Sequence, residues 1–297
     1  MKKPFAFPFM KYRKFFIALA CVMAVTGALL VLCIGFNKGI DFTGGNLLQV
    51  EFSDPISVGA VRAELAKEGY ARATIQAFSD RGVNIRFQGT EEGADDQALR
   101  DSLMAALDKI QAGKVKLLSF EMVGPTVGGE LTHQAVLATT LALIGILIYV
   151  AFRFQFRFAV VSVLALVHDT MIVLGFFCLF HREIAMPFIA AILTTVGYSL
   201  NDTIVIMDRV RENWKQRRTI GMVALMDNSI NQTLGRTVNT TVTTFMPVLA
   251  FYLLGGPVLA NFSLALMIGI IAGTFSSLCF TTSALVFWYD KYPVKDS

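Results

Sequence analysis

Charge is scarce in this sequence, and what is missing excludes several classes of function. Only 16% of the residues are charged. No segment matches the GxxxxGK(S/T) phosphate loop, and no glycine-rich turn joins a strand to a helix where backbone amides would cradle a nucleotide. Any work the protein performs must then draw on an ion gradient or on a partner's ATP. The four cysteines include no CxxC pair and the three histidines are not gathered beside them, so neither a disulfide framework nor a metal site is expected, and no cofactor is implied.

Apolar residues are abundant. They make up 55% of the 297 positions, and the mean hydropathy of +0.59 is too high for an ordinary soluble domain. Six runs are long enough to cross a bilayer: 15–36, 132–152, 158–180, 185–207, 236–254 and 260–288. The first follows the basic start MKKPFAFPFMKYRK, exceeds a signal-peptide core and precedes no small-residue cleavage site, so it reads as a retained signal anchor. Lys2, Lys3, Lys11, Arg13 and Lys14, then Arg153 and Arg157, then Arg209 to Arg218 flank the runs on one side, which predicts cytoplasmic termini. The basic inner surface suits anionic lipid headgroups or an acidic partner. Cys21, Cys33, Cys178 and Cys279 all fall inside the runs, as small apolar side chains.

The expected organisation is a cytoplasmic start with span one over 1–36, an outer domain over 37–131, spans two to six over 132–290, and a cytoplasmic tail over 291–297. In the outer domain Leu48, Val50 and Phe52 alternate with polar residues, as do Val83, Ile85 and Phe87 with Asn84, Arg86 and Gln88; Thr74 to Phe78 and Val115 to Met122 read the same way. Helical stripes start at Val58, Val61 and Leu65, ending at Gly69, and at Leu99, Leu103, Leu107 and Ile110, ending at Gly113. The order strand, helix, strand, strand, helix, strand is that of the ferredoxin-like split βαβ arrangement. Ten basic residues against fourteen acidic ones argue against nucleic acid and form no catalytic cluster. The fold class is therefore a membrane all-α bundle of six transmembrane helices with one inserted α+β ferredoxin-like domain.

The bundle carries ionisable groups where lipid penalises them by roughly 2.5 to 3.5 kcal/mol each. His168 and Asp169 fall near the middle of span three, Asp202 toward the basic end of span four, and Arg236 at the start of span five. Thr195, Tyr198, Ser199 and Asp202 share one helical face, and Thr233, Arg236, Thr237, Thr240 and Thr244 share another. Lipid cannot hydrogen-bond hydroxyls, so the two stripes are expected to face each other or a hydrated path, with Arg236 within reach of Asp202. An acid, a counter-charge that can release it and hydroxyls leading away make a proton relay; a structural ion pair is the plainer alternative. Gly269, Gly273 and Ser277 form a small-residue face for close packing. An aspartyl protease built on Asp169 and Asp202 is disfavoured because the two differ in depth, and a rhomboid-type reading of GYSL with His168 lacks the second glycine and has the wrong residue order.

Several motifs carry a family resemblance. GIDFTGG (39–45) after span one, VGPTVGGEL (123–131) before span two, GYSLNDTIVIMDRVREN (197–213) and NQTLGRT (231–237) resemble the SecF branch of the SecD/SecF protein-export family of the resistance-nodulation-division superfamily. The 95-residue outer domain fits that branch, and Asn46 departs from the small residue expected after the glycines. The resemblance implies half of a transporter bundle in the bacterial inner membrane with a periplasmic outer domain. Its implied partners are SecD, the SecYEG channel, YajC, membrane lipids and the unfolded secreted polypeptide, whose translocation and release would be completed with the proton-motive force. It also implies coupling roles for Asp202 in LNDT and Arg236 in LGRT, with Asp169 in VHDT as a further candidate. The segment containing Gly39, Asp41, Gly44 and Gly45 would be a turn or hinge. A complete proton-coupled small-molecule exporter is the rival reading, but six spans and one outer domain make only half of such a machine.

Overall fold

The structure is a computed structural model that describes residues 6–87, 96–111 and 113–292. Lys2, Lys3, Gln88 and the tail beyond Tyr292 lie outside the described residues. The chain separates into two compact units, one of residues 1–37 with 138–297 and one of residues 38–137.

The smaller unit begins with α2 (Ile40–Thr43), a single helical turn, and continues as β2 (Gly45–Phe52), α3 (Val58–Lys67), β3 (Thr74–Ala77), β4 (Gly82–Phe87), α4 (Asp96–Asp108) and β5 (Val115–Val123). The sheet order is β3-β4-β2-β5, antiparallel throughout, which is the ferredoxin-like arrangement. Leu48, Val50 and Phe52 share one core with Val83, Ile85 and Phe87, with Val61 and Leu65 of α3, and with Leu103 and Leu107 of α4. Ser57 caps α3 by accepting from Ala60 N–H, and Gly69 (φ 92°) ends it in a Schellman turn closed by Tyr70 N–H to Leu65 O at 2.9 Å. One feature of β2 departs from simple alternation. It is enclosed along both faces: Asn46, on the face of Leu48, and Leu47 and Gln49, on the opposite face, are buried as well.

The motif GIDFTGG winds into α2 and the glycine turn after it. Gly44 and Gly45 take φ values of 67° and 119°, which side chains rarely adopt, whereas Gly39 is extended and Asp41 lies in the first turn of α2. Gly128 of VGPTVGGEL approaches so closely that a Cβ there would come within 2.9 Å of Gly44 N. The two glycine motifs are thus parts of one contact.

In the larger unit the helices are α1 (Arg13–Ile34), the later turns of α5 (Pro125–Arg153), α6 (Phe156–Leu179), α7 (Met186–Glu212), α8 (Arg217–Leu254), α9 (Gly256–Phe275) and α10 (Thr282–Lys291). The strands β1 (Asn37–Lys38) and β6 (Glu183–Ile184) are short. Six helical segments are long and apolar enough to cross a membrane. The largest departures from the hydropathy runs are the starts of α5 and α8. Helix α5 begins at Pro125 and not near 132, because proline at the first helical position is pre-set for helix geometry. Helix α8 begins nineteen residues before Arg236, with a break at Gly221 (φ 80°); its polar first turns fall outside the apolar run because hydropathy marks lipid exposure and not helicity. Span six is one rod of α9, a π-helical stretch over Ser276–Thr281 and α10.

Burial divides the spans into two classes. Spans three, four and six are 50%, 44% and 56% buried over their most apolar windows, against 11%, 11% and 6% for spans one, two and five. The interior helices are therefore α6, α7 and α9 with α10. Before α1, the turn Phe9–Tyr12 inserts Phe9 and Met10 into the core with Leu225, Met226 and Ile230 of α8. Asn231 brackets Phe7 N–H and C=O at 2.9 Å each, and Asp227 accepts Met10 N–H at 2.9 Å.

Helices α1 and α6 cross at Gly27 and Gly175, where a Cβ on Gly175 would come within 2.6 Å of Gly27 Cα. Gly145 of α5 has open space around it. Gly175→Leu should lower the stability of the purified chain in detergent by about 1–3 kcal/mol, the usual overpacking penalty. Gly145→Leu should change it by less than about 0.5 kcal/mol. Thermal unfolding of the two variants checks this, and similar losses from both would contradict the close crossing.

Candidate functional site

The interior helices bring together residues separated by more than a hundred positions. Asp169 on α6 is fully buried, and its carboxylate is enclosed by donors from two further segments. Ser199 Oγ of α7 donates to Oδ2 at 2.5 Å and Ser276 Oγ, at the start of the π-helical stretch, donates to the same oxygen at 2.8 Å. His168 Nδ1 lies 2.9 Å from Oδ1. An ionised carboxylate only accepts, so against it Nδ1 carries the hydrogen. The imidazole is stacked on Phe280, with ring centroids 5.6 Å apart and an interplanar angle of 18°, and its Nε2 is buried without a partner.

The packing that allows this comes from the small-residue face of span six. A Cβ on Gly269 or Gly273 would lie within 2.9 Å of the Cβ of Thr195 or Ser199, so α9 meets α7 nearly backbone to side chain. Ser277 Oγ continues the contact, donating to Ser199 O at 3.2 Å and sharing a hydrogen bond with Thr203 Oγ1 at 2.9 Å. The polar stripe of α7 therefore faces span six. The expected meeting of the α7 and α8 stripes occurs through a residue outside the predicted set: Tyr198 OH donates to Thr241 Oγ1 at 3.3 Å, and Thr241 shares a hydrogen bond with Thr274 of α9 at 3.0 Å.

The α8 hydroxyls mostly serve their own helix. Thr233 and Thr240 donate to backbone carbonyls one turn back, Thr237 Oγ1 is buried without a partner, and Thr244 is half-buried. Thr195 Oγ1 on α7 is also buried and unpartnered. Hydroxyls returning to i−3 or i−4 carbonyls are the common way for a Thr-rich helix to satisfy itself in an apolar medium.

Asp202 differs from Asp169. It is 2% exposed and its Oδ2 has no hydrogen-bond partner. The Arg236 guanidinium and the Thr240 hydroxyl act on it electrostatically, yet among the described residues no ion pair includes Asp202 or Arg236, and Arg236 lies on an exposed face of α8. The expected Asp202–Arg236 contact is therefore open. Among the described residues no three His, Cys, Asp or Glu side chains gather as metal ligands would.

Sequence reasoning missed Ser276, Thr203, Thr241 and Thr274 as partners in this network, and placed Ser277 only on the close-packing face of span six. The run SSLCFTTS contains a faint signal, since Ser276 follows Gly269 by seven residues on one helical face, but single serines do not interrupt an apolar run.

The family described as "Protein export membrane protein SecD/SecF, C-terminal" matches residues 103–291, and the "SecD/SecF GG Motif" matches residues 34–56. The chain is 38% identical over 290 residues to the protein translocase subunit SecF of Desulfurispirillum indicum, covering 96% of this chain and 92% of that one. It is 43% identical over 254 residues to the SecF subunit of Pseudomonas aeruginosa, covering 85% and 81%. A crystal structure of the translocon-associated membrane protein SecDF of Thermus thermophilus superposes with a TM-score of 0.85 at 39% identity over 96% of this chain; the chain spans 39% of that protein's length.

The Ser276–Asp169 contact is testable as an energy. Hydrogen bonds to charged groups are worth about 1.5–3 kcal/mol, so Ser276→Ala should destabilise the purified chain by about that much. In an Asp169→Asn background the same substitution should cost less by at least ~0.5 kcal/mol, the coupling expected of direct partners. A double-mutant cycle from unfolding in detergent gives both numbers, and equal costs in the two backgrounds would show that the side chains do not communicate.

Proposed function

The chain belongs to the SecD/SecF family of protein-export membrane proteins, and from that premise we propose that it is an accessory subunit of the Sec translocase that uses the proton-motive force to complete the translocation and release of secreted polypeptides. It works in a heteromeric complex with SecD and with the SecYEG channel, in the bacterial inner membrane, with the ferredoxin-like unit on the periplasmic side. YajC belongs to the same assembly.

The observation that carries the coupling is the unsatisfied oxygen of Asp202. A buried carboxylate oxygen left without a hydrogen-bond partner is costly in an apolar interior. Two events relieve that cost, arrival of a proton or approach of the Arg236 guanidinium. If each favours a different packing of α7 against α8, proton flow drives an alternation between the two. Moving one charge through ~100 mV is worth roughly 2.3 kcal/mol, enough to bias such a motion over many cycles. Of the hydroxyls assigned to the polar pathway, Ser199 is committed to Asp169 and Thr233 and Thr240 donate to their own helix, which leaves Thr195, Thr237 and Thr244 to relay a proton, while Asp169, held by its donors, anchors the neighbouring helices.

The burial classes support the partnership. Spans one, two and five leave most of their apolar surface uncovered, with Val238, Val242 and Met246 exposed on the same helix as Arg236. A second bundle from SecD packed there would bring its own polar groups toward Arg236. The glycine contact between Gly44 and Gly128 gives the outer unit a compact root that can act as a pivot.

The test is release of a secreted protein from spheroplasts, comparing wild type with Asp202→Asn at matched membrane levels, with and without a protonophore. The mutant should match protonophore-treated wild type, with no further loss when the protonophore is added. Normal release that still responds to the protonophore would reduce Asp202 to a packing residue.

A further inference from the structure

Three helices are joined at one level of the bundle by a single line of hydroxyls. Tyr198 OH of α7 donates to Thr241 Oγ1 of α8 at 3.3 Å, Thr241 Oγ1 lies 3.0 Å from Thr274 Oγ1 of α9, and Thr274 donates to Ile270 O at 2.8 Å. Each hydroxyl has one hydrogen to give. That of Thr274 is committed to a carbonyl, so Thr241 donates to Thr274 and Tyr198 to Thr241, and in this order every hydrogen of the line is used. Other threonines of α8 behave differently: Thr233, Thr240 and Thr243 return their hydroxyls to carbonyls of their own helix. Thr241 instead reaches two neighbouring helices.

The position of this line accounts for the separation of Asp202 from Arg236. Spans four and five are successive crossings that run antiparallel, and the line joins them at Tyr198 and Thr241. Four residues from that crossing, about 6 Å along each axis, stand Asp202 on α7 and Thr237 on α8, with Arg236 one residue further. The arginine is therefore close to level with the acid, and orientation keeps them apart. At about 100° per residue, the five positions from Arg236 to Thr241 set their side chains about 140° apart around the axis, so a helix that points Thr241 at its neighbours points Arg236 away from them. Burial along α8 agrees, since Thr237 and Val248 are enclosed on the Thr241 side while Arg236 is exposed.

Helix α8 has little else to fix its rotation. It is the least covered span, at 6%, and it is interrupted on both sides of the line: Gly221 leaves helical geometry, and Pro247 offers no N–H to the carbonyl of Thr243. We propose that the chain Tyr198, Thr241, Thr274 is a positioning latch that holds Thr241 toward α7 and α9 and thereby keeps Arg236 turned away from Asp202. Opening of the latch lets α8 turn and brings the arginine to the acid. The inference rests on the reading of Asp202 and Arg236 as the coupling pair, and it adds the residues that decide when the two meet.

The test uses the full-length chain in its membrane with Asp202→Cys and Arg236→Cys, where a disulfide forms only when the two positions come close and face each other. Trypsin cuts between them at the arginines of 209–218, so the linked peptides can be counted by mass spectrometry after oxidation with copper phenanthroline. Crosslinking should be slow with the latch intact. Tyr198→Phe and Thr241→Val should each speed it about fivefold, the population shift that one neutral hydrogen bond controls. Thr241→Ser, which keeps the hydroxyl, should stay slow, as should Thr243→Val, whose hydroxyl serves its own helix. Two variants break the same bond from different helices, so misfolding of one leaves the other to decide. An unchanged rate in both, or an equal rise from Thr243→Val, would overturn the latch. Both coupling residues are absent from this background, so the rate reads geometry alone; failure of the coupling reading shows separately, as normal release from Asp202→Asn. With Asp202 and Arg236 in place, Tyr198→Phe should slow release of the secreted protein from energised spheroplasts and Thr241→Ser should not. Release unaffected by Tyr198→Phe, where Asp202→Asn abolishes it, would also overturn the latch.

Discussion

A carboxylate placed where no water can reach it must be met by its neighbours, and the bundle is arranged around that constraint. The oxygens of Asp169 draw one hydroxyl from α7 and one from the π-helical stretch of span six, while the adjacent imidazole is held between the acid and Phe280. These donors can converge only if the helix axes approach closely, which is what Gly269 and Gly273 permit. The π-helical stretch begins at the serine that reaches the acid. Local widening of a helix re-aims the side chains at its edge, and such stretches recur at functional positions.

The two interior aspartates have opposite environments on helices that touch. Asp169 is saturated with donors and joins three elements; Asp202, on the next helix, keeps an oxygen without a partner and faces an arginine that does not reach it. One carboxylate is suited to holding the helices in place and the other to changing state. The same contrast separates the spans, since the helices around Asp169 are the enclosed ones and α8, which carries Arg236, is the least covered. A moving contact belongs at such a boundary, because exposed helices give up less packing when they shift.

Much of this architecture was legible in the sequence, for reasons that can be stated. Alternation along Leu48, Val50 and Phe52 and the stripes ending at Gly69 and Gly113 are direct consequences of strand and helix periods, and the sheet order follows once two helices must cover one face. The six spans follow from run length. What hydropathy could not reveal was any helix that continues into water, which is why α8 extends so far ahead of Arg236. Nor could one helical face predict its neighbour. The stripe of Thr195 and Ser199 suggested α8 as a partner because both carry hydroxyls, but α9 took that position because its glycines make it the thinnest surface available. Ser276 escaped notice because a lone serine is nearly silent in an apolar run.

The clasp of Phe7 and Met10 by Asn231 and Asp227 has a consequence in time. Phe7 and its partner Asn231 are 224 residues apart, and a chain elongating at roughly 5–20 residues per second separates their synthesis by about 10–45 s. The first span must therefore wait in the membrane until α8 has been made. During that interval its leading turn, with Phe9 and Met10 uncovered, lacks the α8 surface that later encloses it, so the order of synthesis sets the order in which this end of the bundle can close.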